Sequence, residues 1–317
     1  MHAVFLDKNT FSADVDFSSI EHQLTRLTCY ESTPPSEVLA RCLDADIIIT
    51  NKVLLSAELL SALTKTKLIC ISATGYNNVD IDAANRLNIA VTNVSGYAGP
   101  AVAQYVFAQL LEYHQQTSHH NSNTEKGLWS NSNAFCYHGK TINELAGKTL
   151  GIVGYGSLGK AVATIAQAFA MKVIISERPS ASVIRADRVS FEQLITQADI
   201  ISLHCPETAE TKSLINSDVL SRMKKNAVLV NTARGALIDE NALLNALRNK
   251  EIAYAILDVL SQEPPQANHP LLNSGLENLK ITAHIAWASI EAQQRLIDLL
   301  SQNIIAFSQG KRLNRLN

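Results

Sequence analysis

Short apolar runs alternate with amphipathic stretches from the start of the chain. In the first hundred residues the runs AVFL, DIIIT, KLICIS and IAVTN are separated by helical patterns such as SEVLARCL and SAELLSALTK. This alternation predicts βαβ units and a parallel sheet. A long helix is expected from Pro100 to about Gln115, because proline suits a first helical turn and residues 101–111 are largely apolar.

A second series of the same kind fills the other half of the chain. The candidate strands are TLGIVGYG, MKVIIS, ADIISLH, AVLVNTA, AYAILDV and NLKIT, with helices at 157–169 and 239–248 among them. Strands in this succession match a dinucleotide-binding sheet. A last helix from Ser289 to about Phe307 has one apolar side and should pack back onto a core. The predicted fold class is therefore α/β, with two doubly wound parallel-sheet domains.

Residues 117–145 interrupt this pattern with a mostly polar segment. Trp129, Phe135 and Tyr137 give the segment something to bury, so we interpret it as an excursion between two α/β parts and not as disorder. Several histidines lie in or near it without partners at metal-binding spacing, and no metal site is predicted. They are His114, His119, His120 and His138.

Charge and cysteine content exclude several classes of protein. With 27 basic and 29 acidic side chains the net charge is −2, which gives no cationic face for nucleic acid. The start of the chain lacks the pattern of a signal peptide, and no apolar run reaches membrane-spanning length. Five scattered cysteines without a CxxC pair suit a reducing compartment. These features predict a folded cytoplasmic protein without membrane or nucleic-acid partners.

Gly154, Gly156 and Gly159 have GxGxxG spacing between a predicted strand and a predicted helix. In a dinucleotide site these glycines allow a tight turn, close approach of the pyrophosphate and close packing of the helix on the sheet. Such turns also occur without ligands, but here the next strand is in place as well. The motif therefore predicts nucleotide binding.

Glu177 follows the next predicted strand, 18 residues after Gly159. An acid at this place can accept hydrogen bonds from ribose hydroxyls, and it would repel a 2′-phosphate. This favours NAD over NADP, although the guanidinium of Arg178 could pair with that phosphate. The alternative is that both side chains are only solvated charges at the end of a strand.

Three polar residues follow apolar strands in the second half: Arg234, Glu263 and His284. The carboxyl ends of parallel strands meet at one edge, where a nicotinamide would lie. A carboxylate such as Glu263 favours the protonated form of a histidine, and an arginine can bind a substrate carboxylate with two hydrogen bonds. Taken singly, Arg234 also suits a surface ion pair, Glu263 an ordinary loop carboxylate and His284 a structural role.

The segments GYGSLG, NTARG, LDVLSQEPP and TAHIAWAS together resemble the D-isomer-specific 2-hydroxyacid dehydrogenase family. The resemblance extends to SATGYNNVDIDAA and VTNVSGYAGPAVAQYVFAQLLE, and it is strongest to the glycerate dehydrogenase, or hydroxypyruvate reductase, branch. It implies a Rossmann NAD-binding domain at 100–287, inserted in a flavodoxin-like substrate domain at 1–99 and 288–317. It also implies a homodimer.

The resemblance further implies roles for individual residues. The catalytic residues would be Arg234, Glu263 and His284. Substrate would be bound by Thr74, Gly75, Tyr76, Arg234 and Trp287. The cofactor NAD would be bound by Gly154, Tyr155, Gly156, Ser157, Leu158, Gly159, Glu177, Arg178, Cys205, Pro206, Thr232, Ala233, Asp258 and His284. Departures from the family pattern are Gln104, Tyr105, Tyr254 and Ala283.

The implied activity is hydride transfer between nicotinamide and a small D-2-hydroxy acid or 2-oxo acid, with glycerate and hydroxypyruvate as the expected pair. Two alternatives stay open. One is a broad reductase of glyoxylate and similar 2-oxo acids that uses NADPH. The other is a catalytically weak protein that binds partners in response to NAD.

Overall fold

Eleven strands form two separate sheets, and all neighbouring strands are parallel. The structure is a computed structural model that describes residues 1–317. In chain order the strands are β1 (His2–Phe5), β2 (Arg26–Cys29), β3 (Ile47–Thr50), β4 (Leu68–Ile71), β5 (Ala90–Thr92), β6 (Thr149–Val153), β7 (Lys172–Ile175), β8 (Ile200–Leu203), β9 (Val228–Asn231), β10 (Tyr254–Leu257) and β11 (Leu279–Ile281).

Eleven α-helices connect or flank these strands. In chain order they are α1 (Ser18–Glu21), α2 (Val38–Cys42), α3 (Ala57–Ser61), α4 (Ile81–Arg86), α5 (Gly99–Gln115), α6 (Thr117–Glu125), α7 (Ser157–Ala168), α8 (Phe191–Gln197), α9 (Ser217–Arg222), α10 (Glu240–Arg248) and α11 (Ile290–Ser308). Short 3-10 helices cover Lys8–Thr10, Pro35–Glu37 and Gly235–Leu237. None of the helices has the length and apolar character needed to span a bilayer.

The chain divides into two compact units, one of residues 1–98 with 287–317 and one of residues 99–286. The boundaries expected from the sequence lie one residue from these at each junction. The substrate and nucleotide roles assigned to the two parts stay predictions, because they concern ligands and not compactness.

The sheet of the first unit has the order β2-β1-β3-β4-β5, which is the flavodoxin-like order. No residue of β3 or β4 is exposed, and this burial explains their continuous apolar runs. The chain returns to this unit through α11, whose first turn is capped by the side chain of Ser289. Leu296, Leu300 and Ile304 form its buried stripe, in agreement with the predicted terminal helix.

The sheet of the second unit has the order β11-β10-β9-β8-β6-β7. Because β6 lies between β7 and β8, successive connections leave it in opposite directions, and the carboxyl ends of β6 and β8 border the crevice where such sheets bind ligands. Helix α5 packs on α7, with the ring of Phe107 stacked on that of Phe169 at 5.3 Å. The two parallel α/β sheets confirm the predicted fold class.

Two elements were not expected from the sequence. The strand β2 is a half-exposed edge strand of mixed composition, RLTC, so it lacks the apolar run of its neighbours. Helix α6 lies inside the segment predicted as a polar excursion, and only Asn123 of its residues is buried. The side chain of Glu112 accepts hydrogen bonds from Thr117 Oγ1 and Ser118 N, so α6 starts on a polar cap and not on an apolar stripe.

Candidate active site

The glycine turn after β6 is built from three residues with different surroundings. Gly154 has φ +94°, and a Cβ there would lie 2.5 Å from the backbone N of Cys205. A Cβ on Gly159 would lie 2.2 Å from the carbonyl oxygen of Gly154. Gly156 differs, because nothing lies within 4 Å of its Cβ position. The first and third glycines are thus required by the protein itself, whereas the second faces open space.

The open space at Gly156 lies at the start of α7, which has no side-chain cap. The backbone N–H groups of Ser157, Leu158 and Gly159 belong to its first turn, where amides have no partner within a helix and favour an anion. The turn after β9 offers a second unsatisfied group, because the buried hydroxyl of Thr232 has no hydrogen-bond partner. Both observations fit a bound dinucleotide.

The end of β8 closes the other side of the turn. His204 donates its backbone N–H to the carbonyl of Val153 at 2.7 Å, and its Nε2 lies 2.8 Å from Ser202 Oγ. Desolvation lowers the pKa of His204 to about 4 and raises that of the Cys205 thiol to about 11. The imidazole is therefore neutral and the thiol protonated near neutral pH, which excludes Cys205 as a ready nucleophile. Pro206 follows and is exposed.

Glu177, just beyond β7, is buried and engaged in an ion pair. Its Oε2 accepts from Nε of Arg185 at 2.5 Å, and its Oε1 accepts from Nη2 of Arg185 at 2.6 Å and from the backbone N of Arg178 at 3.1 Å. The hydrogen bonds from Arg185 lower the pKa of Glu177 to about 2. The side chain of Arg178 makes none of these hydrogen bonds. Arg185 was not predicted as a partner, because it lies in an irregular polar loop.

Arg234 is positioned by the turn that follows β9. The buried Asn231 accepts from the backbone N of Ala233 at 3.0 Å and donates from Nδ2 to the carbonyl of Arg234 at 2.8 Å. The guanidinium donates from Nη1 to the carbonyl of Ala233 at 2.6 Å. Most of its fork of N–H groups can therefore serve a carboxylate.

The loops that carry Arg234 and Glu263 touch through their backbones. A Cβ on Gly235 would lie 1.9 Å from the carbonyl carbon of Leu260. Only glycine allows this approach. The contact places the residue after Arg234 against the loop whose Leu260 N donates to Glu263 Oε1 at 3.1 Å.

Glu263 and His284 are in direct contact. Nδ1 of His284 lies 2.7 Å from Oε2 of Glu263, and both side chains are partly exposed. His284 has φ +55°, a left-handed conformation, and its backbone N donates to the carbonyl of Asp258 at 2.8 Å. The pair borders a cavity of about 560 Å³ whose lining also includes Asp258 and Thr282. The structure thus brings together two of the three residues that the sequence singled out as a catalytic set.

Asp258 holds the backbone that follows His284. Its carboxylate accepts from the backbone N of Ile285 at 2.9 Å, the backbone N of Ala286 at 2.8 Å and Thr282 Oγ1 at 2.6 Å. The hydroxyl of Tyr105 on α5 is hydrogen-bonded to the same Thr282 hydroxyl. Neither Thr282 nor Tyr105 was assigned a role from the sequence, although Tyr105 was noted as a departure from the family pattern.

The predicted substrate-binding residues other than Arg234 lie in the first unit. Thr74 donates from Oγ1 to the carbonyl of Val94 at 2.9 Å, which holds the loop that continues through Gly75 to the exposed Tyr76. The ring of Trp287 packs edge-on against Phe11 and Tyr97, with centroid distances of 5.9 and 6.1 Å. Their roles in substrate binding stay predictions. Nowhere in the protein do three or more His, Cys, Asp or Glu side chains group in a way that could hold a metal.

Comparison with known proteins gives matches along the whole chain. Residues 107–286 match the model for the NAD binding domain of D-isomer specific 2-hydroxyacid dehydrogenases. The chain is 41% identical to a glycerate dehydrogenase of Methylorubrum extorquens, over 98% of this chain and 97% of that enzyme. It is 34% identical to a glyoxylate reductase of Aeropyrum pernix, over 97% and 93% of the two chains. A solved acyclic imino acid reductase in complex with NADPH and D-Arg superposes with a TM-score of 0.86 at 30% identity, covering both chains fully.

Proposed function

Since the chain belongs to the D-isomer specific 2-hydroxyacid dehydrogenase family and is an oxidoreductase with NAD(H) as its cofactor, we propose that it interconverts D-glycerate and hydroxypyruvate. The observation that carries the proposed chemistry is the 2.7 Å contact between His284 and Glu263. The choice of substrate is supported by the similarity to the glycerate dehydrogenase.

In the proposed reduction the residues of this chain bind the substrate and supply a proton. Bound NADH supplies the hydride. The carboxylate of Glu263 accepts the hydrogen bond from Nδ1 of His284, which makes Nε2 the nitrogen that donates a proton to the substrate carbonyl oxygen. Arg234 binds the carboxylate of the 2-oxo acid through two N–H groups. Positioned acid catalysis by His284 would lower the barrier by about 3–5 kcal/mol.

The test is a steady-state absorbance assay at the reduced-nicotinamide band. Hydroxypyruvate, glyoxylate and pyruvate are each offered with NADH, and hydroxypyruvate should give the highest kcat/KM. His284→Ala should lower kcat by about 10²–10⁴-fold while NADH binding persists. Arg248→Ala, at an exposed position on α10, is the matched control and should behave like the wild type.

Each rival function has its own signature in this assay. A higher kcat/KM with glyoxylate than with hydroxypyruvate would make glyoxylate the preferred substrate and leave the proposed chemistry unchanged. A flat trace with every substrate, together with intact NADH binding, would contradict catalysis and favour the NAD-sensing alternative. Near-normal turnover of His284→Ala would contradict the role of that residue.

A homodimer is also part of the proposal. Several large apolar side chains between α6 and β6 are exposed, among them Phe135, which is 92% exposed, and Trp129, which is 52% exposed. Clusters of exposed apolar residues are typical of interaction surfaces. Light scattering coupled to gel filtration should give twice the monomer mass, and a monomeric mass would contradict the proposal. Location in the cytoplasm stays a prediction.

A further inference from the structure

Glu177 occupies the position at which an acid discriminates against NADP(H) in this kind of fold, but in this protein it is paired with a cation. An acid after the second strand of a Rossmann unit binds the ribose hydroxyls of NAD and repels the extra phosphate of NADP. Here both oxygens of Glu177 accept hydrogen bonds from the guanidinium of Arg185, at 2.5 and 2.6 Å. The formal charge of the carboxylate is therefore matched by a cation in direct bidentate contact.

The hydrogen-bonding capacity of Glu177 is also largely used within the chain. Oε1 accepts from Arg185 Nη2 and from Arg178 N, and Oε2 accepts from Arg185 Nε. A carboxylate oxygen has about two lone-pair positions, and the backbone of Arg185 adds a further hydrogen bond to this carboxylate. Ribose hydroxyls therefore meet a carboxylate with little acceptor capacity left.

The surroundings of this ion pair carry further cations. The guanidinium of Arg188 lies 5.2 Å from the ring centroid of Tyr155 in the glycine turn, and Lys160 Nζ lies 5.9 Å from the same centroid. The side chain of Arg178 is exposed beside Glu177. The acidic groups that face the loop are exposed or shared: Asp187 lies 3.5 Å from Arg188, and Glu210 accepts from Ser180 Oγ. Cations therefore outnumber carboxylates in this region. The four cations are Arg178, Arg185, Arg188 and Lys160, and the three carboxylates are those of Glu177, Asp187 and Glu210.

Building on the proposed dehydrogenase function, we propose that Arg185 neutralises Glu177 and makes the adenosine end of the cofactor site accept a 2′-phosphate, so that the enzyme uses NADPH as well as NADH. The Arg185 side chain is 58% exposed, so its outer N–H groups can meet a phosphate oxygen while the inner ones hold Glu177.

The deciding measurement is calorimetric binding of two half-nucleotides, 5′-AMP and 2′,5′-ADP, which differ in the phosphate at the 2′ position. Neither probe depends on catalysis. The wild-type protein should bind both with dissociation constants within about tenfold of each other. Arg185→Ala should weaken 2′,5′-ADP binding by about tenfold or more, because a charge-assisted hydrogen bond is lost and an unneutralised carboxylate is exposed to the phosphate. Binding of 5′-AMP should stay the same or improve.

Two further variants complete the design. Arg185→Lys keeps the charge without the fork and should recover part of the 2′,5′-ADP affinity. Arg248→Ala removes an exposed arginine from α10 and should change neither affinity. A wild-type preference for 5′-AMP of more than about tenfold, or equal losses for both probes in Arg185→Ala, would overturn the inference and leave the dehydrogenase function intact. If neither probe binds, the inference fails, and the turnover assay with hydroxypyruvate decides whether the proposed function stands.

Discussion

Replacement of Gly235 by alanine should damage the site through the backbone. The added methyl group would lie 1.9 Å from the carbonyl carbon of Leu260 and 2.2 Å from its oxygen, whereas real contacts of this kind are longer than 3.0 Å. One of the two loops must therefore move by about 1 Å, and both are tied to buried strands. Overpacking with so little room to relax should cost about 3–5 kcal/mol of the free energy of unfolding.

The expected loss is large enough to measure by circular dichroism during thermal unfolding. For a unit of this size 1 kcal/mol corresponds to about 2–4 °C, so Gly235→Ala should melt roughly 6–20 °C below the wild type. Turnover should fall by as much as about 10²-fold, because a displacement of 1 Å moves Arg234 or the loop of Glu263 away from its working position.

Gly99→Ala is the control for this experiment. Its methyl group would lie 3.6 Å from Ala161 Cβ, an ordinary contact, in the first turn of α5. Its melting temperature should stay close to that of the wild type, because the added methyl group makes only ordinary contacts. If Gly235→Ala melted within 2 °C of this control and kept full turnover, the assigned role of the close contact would be wrong.

Three other substitutions test separate parts of the site and its scaffold. Gly156→Ala should leave the melting temperature unchanged, since nothing lies within 4 Å of the new methyl group, but calorimetry should show weakened NADH binding. His114→Leu should remove a loss of stability on acidification, because burial lowers the pKa of His114 in the folded state to about 4. The unfolded state therefore binds more protons than the folded state as pH falls from about 6.5 towards 4. Urea unfolding at pH 7 and pH 4.5 should show a loss of up to about 3 kcal/mol in the wild type that the variant lacks. Thr282→Val should cost about 1–3 kcal/mol of unfolding free energy, because it removes the hydroxyl that is hydrogen-bonded to both Tyr105 and Asp258. Thr282→Ser keeps a hydroxyl and should restore the stability. A loss of less than about 0.5 kcal/mol in Thr282→Val would contradict the role of these hydrogen bonds.

Much of the fold could be predicted because its central strands are buried on both faces. The runs around Ile48, Ile69 and Leu229 are continuous and apolar, as parallel strands between helix layers require. The helix caps at Ser289 and Asp239 are local signals of the same kind. The edge strand β2 and helix α6 escaped prediction, since β2 is half exposed and α6 depends on a side chain of the preceding helix.

The identities of the side chains in the candidate site could be predicted from the sequence, but only some of their partners could. Arg234, Glu263 and His284 follow strands whose order in the sheet brings their carboxyl ends to one edge, and the contact between Glu263 and His284 follows from that placement. The pairing of Glu177 with Arg185 depends on the path of an irregular loop. No periodicity or capping rule in the sequence specifies such a path.

Arg234 can stand three residues beyond the buried strand β9 because Asn231, the last residue of the strand, supplies the polar support that a turn needs at that depth. Asn231 has no exposed surface, yet its amide satisfies the backbone N of Ala233 and the carbonyl of Arg234. Without those two bonds the turn would leave unpaired backbone groups in an apolar setting, which costs about 1–3 kcal/mol for each group. The support leaves the turn rigid, and Gly235 then lets it press against Leu260. A fixed backbone on both sides of Arg234 limits the positions its side chain can take, and we infer that this is how a flexible side chain acquires the orientation that carboxylate binding demands.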